Sequence, residues 1–377
     1  MHLSFSSEFE AGAASQPFFD SFPSRPAVFA LVAAPRPGVV PAPYLGRTRD
    51  LRRRLVRLLS SPRRTSRMLN LSEMAGRIEY TPVGSAFEGL WLLYLLNRHY
   101  FPKEYQKRLR LKAPALLKLN LENRFPRCYP TRKMVRDHSL YLGPFPSPLA
   151  AEHFAGEFLD FFKIRRCFED LAPDPSHPGC IYSQLHMCLA PCFVGCTDSE
   201  YQAEVGRVVE FLESGGKSLL RSLEVERAQA SESLEFEQAA KVHHRIAKAN
   251  EVLRQRGSLV RLLGALDAVM VLPGTETKSI TFFRVLAGEI RGPVSLSFDE
   301  NVPQPEPLDQ RLRLLLDALD GGREPGSRPG LPPWEHLSLL ARWYYSSFRE
   351  GELVMLTPGQ ALPHARLIRV CRKLLAP

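Results

Sequence analysis

The chain has 377 residues, of which 44% are hydrophobic, 24% charged and 10% aromatic; that length suits two or three domains, and the composition excludes a largely disordered chain. No run of about 18 apolar residues occurs, so the pattern excludes a membrane-spanning helix. Fifty Lys and Arg against 40 Asp and Glu give a net charge of +10, which favours a polyanionic partner because each neutralised phosphate releases a condensed counterion.

Residues 1–24 lack the basic start and apolar core of a secretion signal, so they are expected to form a flexible tail on a cytoplasmic protein. An apolar run over 27–32 and the Pro/Gly segment APRPGVVPAPY predict a strand, a turn and a second short strand ending at 44–46. DLRRRLVRLL then predicts a helix with Asp50 as N-cap and Leu51, Leu55, Leu58 and Leu59 on one face. Positions 47–67 hold nine arginines and one acid. Arg49, Arg52, Arg53 and Arg57 are the candidate DNA contacts, with a solvated basic face as the alternative. Residues 88–100 form an apolar helix ended by Pro102, and further cations follow at Arg108, Arg110, Lys112, Arg124, Arg127, Arg132, Lys133 and Arg136.

A connecting region, 107–166, ends in a helix over 149–162. Four cysteines then fall in the spacing C-x12-C-x7-C-x3-C at Cys167, Cys180, Cys188 and Cys192, with Cys196 close behind. Clustered thiols in a cytosolic chain point to bound metal, either a cubane iron–sulfur cluster or a tetrahedral zinc. Helices are expected over 199–229 and 233–256 with a break at 231–233. Ser233 is the expected cap of the second, and Ala239, Val242, Ile246, Ala249 and Leu253 form its apolar stripe. Beyond 257 the pattern becomes strand-like, then passes a Pro/Gly-rich loop to a final helix. No internal repeat is visible.

The cysteine segment reads Arg166-Cys167…Pro178-Gly179-Cys180-Ile-Tyr-Ser-Gln-Leu-His-Met-Cys188-Leu-Ala-Pro191-Cys192. It resembles the family of UvrC, the subunit of the bacterial nucleotide-excision repair nuclease. Gly179 stands where that family carries proline, and Cys196 lies outside its pattern. FPRCYPTRKMVRDHSLYLGPFPS upstream and SLEFEQAAKVHHRIAKANEVL downstream are similar to family blocks in the same order, so the likeness spans roughly residues 25–375. The resemblance implies a four-iron four-sulfur cluster on Cys167, Cys180, Cys188 and Cys192. It implies a UVR hairpin over 199–256 that meets UvrB, with Phe236 and Ala240 at the contact. It also implies a mixed α/β fold: a small GIY-YIG nuclease-like domain over 25–106 with a central antiparallel sheet, the cluster segment, the helical hairpin, and an α+β region over 257–377.

Within the first domain the family pattern frays. The first motif reads Arg25-Pro26-Ala27-Val28-Phe29, without its tyrosine hydroxyl. The second reads Tyr44-Leu45-Gly46-Arg47-Thr48-Arg49-Asp50-Leu51-Arg52-Arg53-Arg54. There the resemblance implies catalytic roles for Tyr44, Arg47 and Arg54, with Gly46 shaping the strand. Leu93 occupies the position of the glutamate that holds a divalent ion such as magnesium, and leucine offers no oxygen ligand. Glu88 is a surrogate only in a different helix register. Tyr105-Gln106 stands nearest the family's asparagine, and RLRLKAPA replaces its DDKS loop. The chain is expected to end before the family's RNase H-like and helix-hairpin-helix domains. Two readings follow: a DNA- and UvrB-binding protein with a degenerate nuclease site, which the missing glutamate and Phe29 favour, and an active divergent endonuclease, which Tyr44, Gly46 and Arg54 favour. An unrelated zinc-binding nucleic-acid protein is a distant third.

Overall fold

The computed structural model describes residues 3–10, 12, 15–34, 42–60, 69–299, 306–320, 330–357, 360 and 362–376. Its elements form a mixed α/β fold of three four-stranded sheets, in which every recorded strand pair is antiparallel.

The first sheet comprises β1 (Phe5–Glu8), β2 (Ala27–Ala33), β3 (Tyr44–Thr48) and β4 (Ala75–Pro82) in the order β1-β4-β2-β3. Along β2 the period-two alternation of a strand divides two cores. Ala27, Phe29 and Leu31 face α2 (Leu51–Leu59), whereas Val28 and Ala30 face α3 (Ala86–Tyr100). The predicted cap and face of α2 are both present: Asp50 Oδ1 accepts from the Arg53 N–H at 2.9 Å, and Leu51, Leu55, Leu58 and Leu59 are buried. The expected tail is instead part of the fold. β1 pairs with β4, and Phe9, Phe19 and Phe22, the last two in and just after α1 (Gln16–Asp20), are buried beside Leu51 and Leu55. Aromatic burial outweighs the weak strand and helix signals of that stretch.

Residues 107–166 also do more than connect. They carry α4 (Tyr105–Arg108, its first turn just upstream), β5 (Ala115–Leu119), β6 (Cys128–Thr131), β7 (Leu140–Phe145) and α5 (Pro148–Leu159). After the cysteine segment with its short α6 (Ile181–Gln184) come α7 (Asp198–Glu213), α8 (Lys217–Glu232), α9 (Phe236–Gln255) and β8 (Arg261–Leu262), which completes the second sheet in the order β6-β5-β7-β8. α5, α7, α8 and α9 share one core, where Phe158 stacks on Phe211 at 5.4 Å. The single helix expected over 199–229 is broken at Gly215 and Gly216, whose left-handed φ values of 64° and 94° favour glycine. Ser233 does not cap α9; it ends α8, and Leu234 turns the chain with φ 62°.

The third sheet holds β9 (Ala268–Pro273), β10 (Ser279–Leu286), β11 (Glu289–Ser297) and β12 (Glu352–Met355) in the order β11-β10-β9-β12. Val269, Val271 and Phe282 pack towards α10 (Leu308–Asp320) and α12 (His364–Leu375), while Met270, Leu272 and Phe283 pack towards α11 (Trp334–Tyr344) and α3. α3 thus belongs to two cores, which explains why it is apolar all round. Among the described residues no helix is long and apolar enough to cross a membrane.

Candidate functional site

β3 is an edge strand, and its alternation sorts the predicted catalytic residues. Tyr44 and Gly46 face α2, where the Arg54 Nη2 group donates to the Tyr44 hydroxyl at 3.2 Å. Phe29 sits across from Gly46, and a Cβ at position 46 would lie 2.7 Å from its ring. Glycine is therefore required there because the ring fills its side-chain space. Arg47 falls on the other face and donates to the Ala86 carbonyl at 3.2 Å. Leu93 is also on that side, packed with Leu45 and Tyr100 between the two cores that α3 joins. The structure brings Tyr44 and Arg54 together and leaves Arg47 and position 93 across the sheet.

The surrogate role for Glu88 is not supported. Its Oε2 accepts from the Gly84 N–H at 2.8 Å while its own N–H donates to Ser85 Oγ at 3.1 Å, so both groups are used in closing the start of α3. Burial raises the pKa of this carboxyl. Tyr105 and Gln106 both donate to Glu335 Oε1, at 2.5 and 2.9 Å, tying α4 to α11. Sequence reasoning missed Glu79, a carboxylate on β4 with only 7% exposure, paired with Arg77 at 2.9 Å. Its partner in register, Ala30, places it on the α3 face. The alternation in AGRIEYTP is the signal that could have found it. Among the described residues no group of three or more His, Cys, Asp or Glu closes onto a single ion.

The cysteine segment is anchored by α7 at its start, just before Cys167. Glu204 Oε1 accepts from the Lys163 N–H at 2.6 Å, and the Tyr201 hydroxyl accepts from the Arg165 N–H at 2.8 Å while donating to the Pro126 carbonyl. The Leu189 N–H donates to the Lys163 carbonyl at 3.0 Å, and the Asp174 N–H to the Cys192 carbonyl at 2.9 Å. Cys167, Cys180, Cys188 and Cys192 lie within one another's electrostatic reach. Burial, and then the three neighbouring thiols, push Cys188 up to about 11, and burial also raises Cys192. Gly179 explains the departure noted in the sequence, since its φ of 76° is closed to proline. Ala190 and Val194 also take left-handed φ values, 56° and 61°, around the last cysteine.

Beside these thiols lies a residue the sequence did not single out. Arg165 is 2% exposed; its Nε donates to the Phe125 carbonyl at 2.8 Å, and Nη1 donates to the Glu169 carbonyl at 2.6 Å and lies 3.8 Å from Cys167 Sγ. Its partners are carbonyls and a thiol, and among the described residues no carboxylate pairs with it. An uncompensated buried cation is costly, and the four thiols are the anion-forming groups at hand.

Of the candidate DNA contacts, Arg52 is committed elsewhere. It donates to the Phe22 carbonyl at 2.9 Å and the Asp20 carbonyl at 3.1 Å, pinning α1 to α2. Arg49, Arg53 and Arg57 are exposed, while Arg63, Arg64 and Arg67 lie outside the described residues. At the tip of the α8–α9 hairpin, Phe236 is 67% exposed beside exposed Leu234 and Ala240, whereas Val242, Ile246, Ala249 and Val252 fill its seam.

Residues 115–211 match the family described as the UvrC/Cho excinuclease, middle domain. The match runs from β5 through the cysteine segment and into α7. The chain is 27% identical over 280 residues to the UvrABC system protein C of Tropheryma whipplei (strain Twist), covering 73% of this chain and 46% of that protein. It is 28% identical over 279 residues to that of Dehalococcoides mccartyi (strain CBDB1), covering 72% and 44%. With that of Geobacter sp. (strain M21) the identity is 26% over 362 residues, 95% of this chain and 54% of the relative. The chain is UvrC-like and spans about half the length of the curated relatives it matches. No solved structure matches it.

Proposed function

We propose that this chain is a cytoplasmic DNA-repair protein of nucleotide excision repair that binds DNA and UvrB, and that its GIY-YIG-like site has little or no power to cut. The observation that carries this reading is the residue at position 93. Hydrolysis of a phosphodiester needs a group that activates water, charge neutralisation and a metal that stabilises the transition state. Tyr44 and Arg54, 3.2 Å apart, are suited to the first two. Leu93 offers no ligand, and Glu88 is spent on its own helix start.

Incision of damaged DNA, measured with UvrB and magnesium or manganese, is expected to be absent or weak. The intact Tyr44–Arg54 bond favours the second reading, an active divergent endonuclease. Metal-dependent cleavage that Tyr44→Phe or Arg54→Ala abolishes would establish it instead.

Cys167, Cys180, Cys188 and Cys192 are the residues that would hold a four-iron four-sulfur cluster. The cysteine spacing supports that group, and the four thiols lie within one another's electrostatic reach. Such a cluster supplies a covalent cross-link and a redox centre. The chain's own contribution is α7, which fixes the backbone just before Cys167 through Glu204 and Tyr201. The exposed apolar tip of the α8–α9 hairpin supports the UvrB contact at Phe236 and Ala240.

A further inference from the structure

A cavity of about 390 Å³ lies between the loop that precedes β5, the turn from β7 into α5, and α11. Four of its lining side chains are cations, Arg110, Lys112, Arg132 and Arg342, and none of its lining residues is acidic. Arg132 donates to the Ala113 carbonyl at 3.3 Å. Among the described residues none of the four pairs with a carboxylate.

Convergent like charges repel one another, and an anion between them removes that cost. The start of α5, capped where Ser147 Oγ accepts from the Ala150 N–H at 3.1 Å, also lines the cavity and adds the positive end of a 12-residue helix. The space is many times what one water needs. It therefore suits an extended anion better than a single ion.

The cationic loop is the stretch RLRLKAPA, which carries Arg110 and Lys112. Arg342 also lies within electrostatic reach of Arg47, which in turn feels Arg49; among the described residues Glu350, held by the Ala86 N–H, is the one carboxylate acting on Arg47, so the surface from the cavity to the β3 edge stays net positive. A free phosphate would need the cavity alone. A polynucleotide would use the whole track.

We propose that this cavity holds the sugar–phosphate backbone of a nucleic-acid strand that runs along the β3 edge past Arg47 and Arg49. The inference rests on the DNA-binding reading above and adds the surface that does the binding. The test is fluorescence anisotropy of a labelled oligonucleotide on the full chain across a salt series. It compares wild type, the triple variant Arg110→Ser/Lys112→Ser/Arg342→Gln, and a control that removes charge from α9 (Arg245→Ser/Arg254→Ser).

All the substituted side chains are exposed, and circular dichroism checks that each variant folds. Each lost phosphate contact lowers the slope of log affinity against log salt by about 0.9 on duplex and about 0.7 on single strands. The triple variant is expected to lose roughly two units of slope and at least tenfold in affinity at 0.1 M salt, with the control close to wild type. Unchanged affinity and slope in the triple variant, with wild type binding normally, would overturn the cavity alone. No binding by wild type would overturn the DNA-binding reading as well. A third arm adds inorganic phosphate. Displacement of the oligonucleotide only at concentrations that screen all charge fits the proposal. Saturable phosphate binding that the triple variant abolishes, with oligonucleotide affinity untouched, would assign the cavity to a free anion and overturn it.

Discussion

Replacing Arg165 separates a bound cluster from a structural knot of cysteines. Arg165 Nη1 lies 3.8 Å from Cys167 Sγ in a buried setting without a carboxylate partner. At an effective dielectric of about 20, one elementary charge at that distance is worth about 4 kcal/mol. An electron added to a four-iron cluster spreads well beyond one sulfur, so roughly half of this, about 2 kcal/mol, is felt on reduction. For a one-electron couple that is about 85 mV. Reduction makes the cluster more negative, which the guanidinium favours, so its removal lowers the potential. Arg165→Met is therefore expected to lower the reduction potential by roughly 85 mV, and Arg165→Lys, which keeps the charge, by much less.

The assay is an anaerobic potentiometric titration followed through the visible absorption of the cluster. Stability alone does not discriminate. Arg165→Met strands the Phe125 and Glu169 carbonyls, at about 1–3 kcal/mol each, but also relieves an unpaired buried charge worth several. Potentials of both variants within about 20 mV of wild type would refute the electrostatic argument, since a field of this size has no other route of escape. Colourless protein with stoichiometric zinc would refute the cluster itself.

Cys188→Ser is expected to bleach the protein and Cys196→Ser to leave its absorption unchanged, read from visible spectra of anaerobic preparations. Phe236→Ala should weaken UvrB pull-down while shifting stability by no more than about 0.5 kcal/mol, because the ring is 67% exposed. Burial against Trp91 and Tyr94 depresses His336 from 6.5 to about 4, so the unfolded chain binds the proton first. Stability carried by the neutral imidazole is complete above pH 6.5 and is lost as the pH falls towards 4, by on the order of 3 kcal/mol. Denaturation at pH 7.5 and 4.5 should show a smaller acid loss in His336→Gln than in wild type; equal losses would show that this histidine does not couple to folding.

What the sequence disclosed follows from the range of each signal. The cap and apolar face of α2 are local, and both are found where Asp50 and the four leucines place them. The break at Gly215 and Gly216 was equally local, because two adjacent glycines in ESGGKS punctuate a helix, yet the helical period on either side concealed it. The N-terminal aromatics gave no period at all. Their burial depends on β2, α2 and β4, which form further along the chain. Arg165 and Arg166 are neighbours in sequence, and only packing makes the first the buried cation beside Cys167 while the second pairs with Asp160 at 3.0 Å. Residue types at a site are visible in sequence, but which face each one reaches is set by partners far along the chain.

α3 shows that the residue at position 93 has a structural role as well as the chemical one argued above. In this chain the helix joins the first sheet to the third: Phe87 meets Phe283 edge-on at 5.1 Å, and Trp91 Nε1 donates to the Gly292 carbonyl at 3.1 Å. Leu93 contacts both cores that this junction creates. A carboxylate in its place would stand against two apolar clusters, at a cost of about 1–3 kcal/mol by protein mutational measures. A metal offsets that cost only if further ligands converge, and among the described residues none do. Leucine at 93 strengthens the interdomain core by the same contacts that withhold a metal ligand.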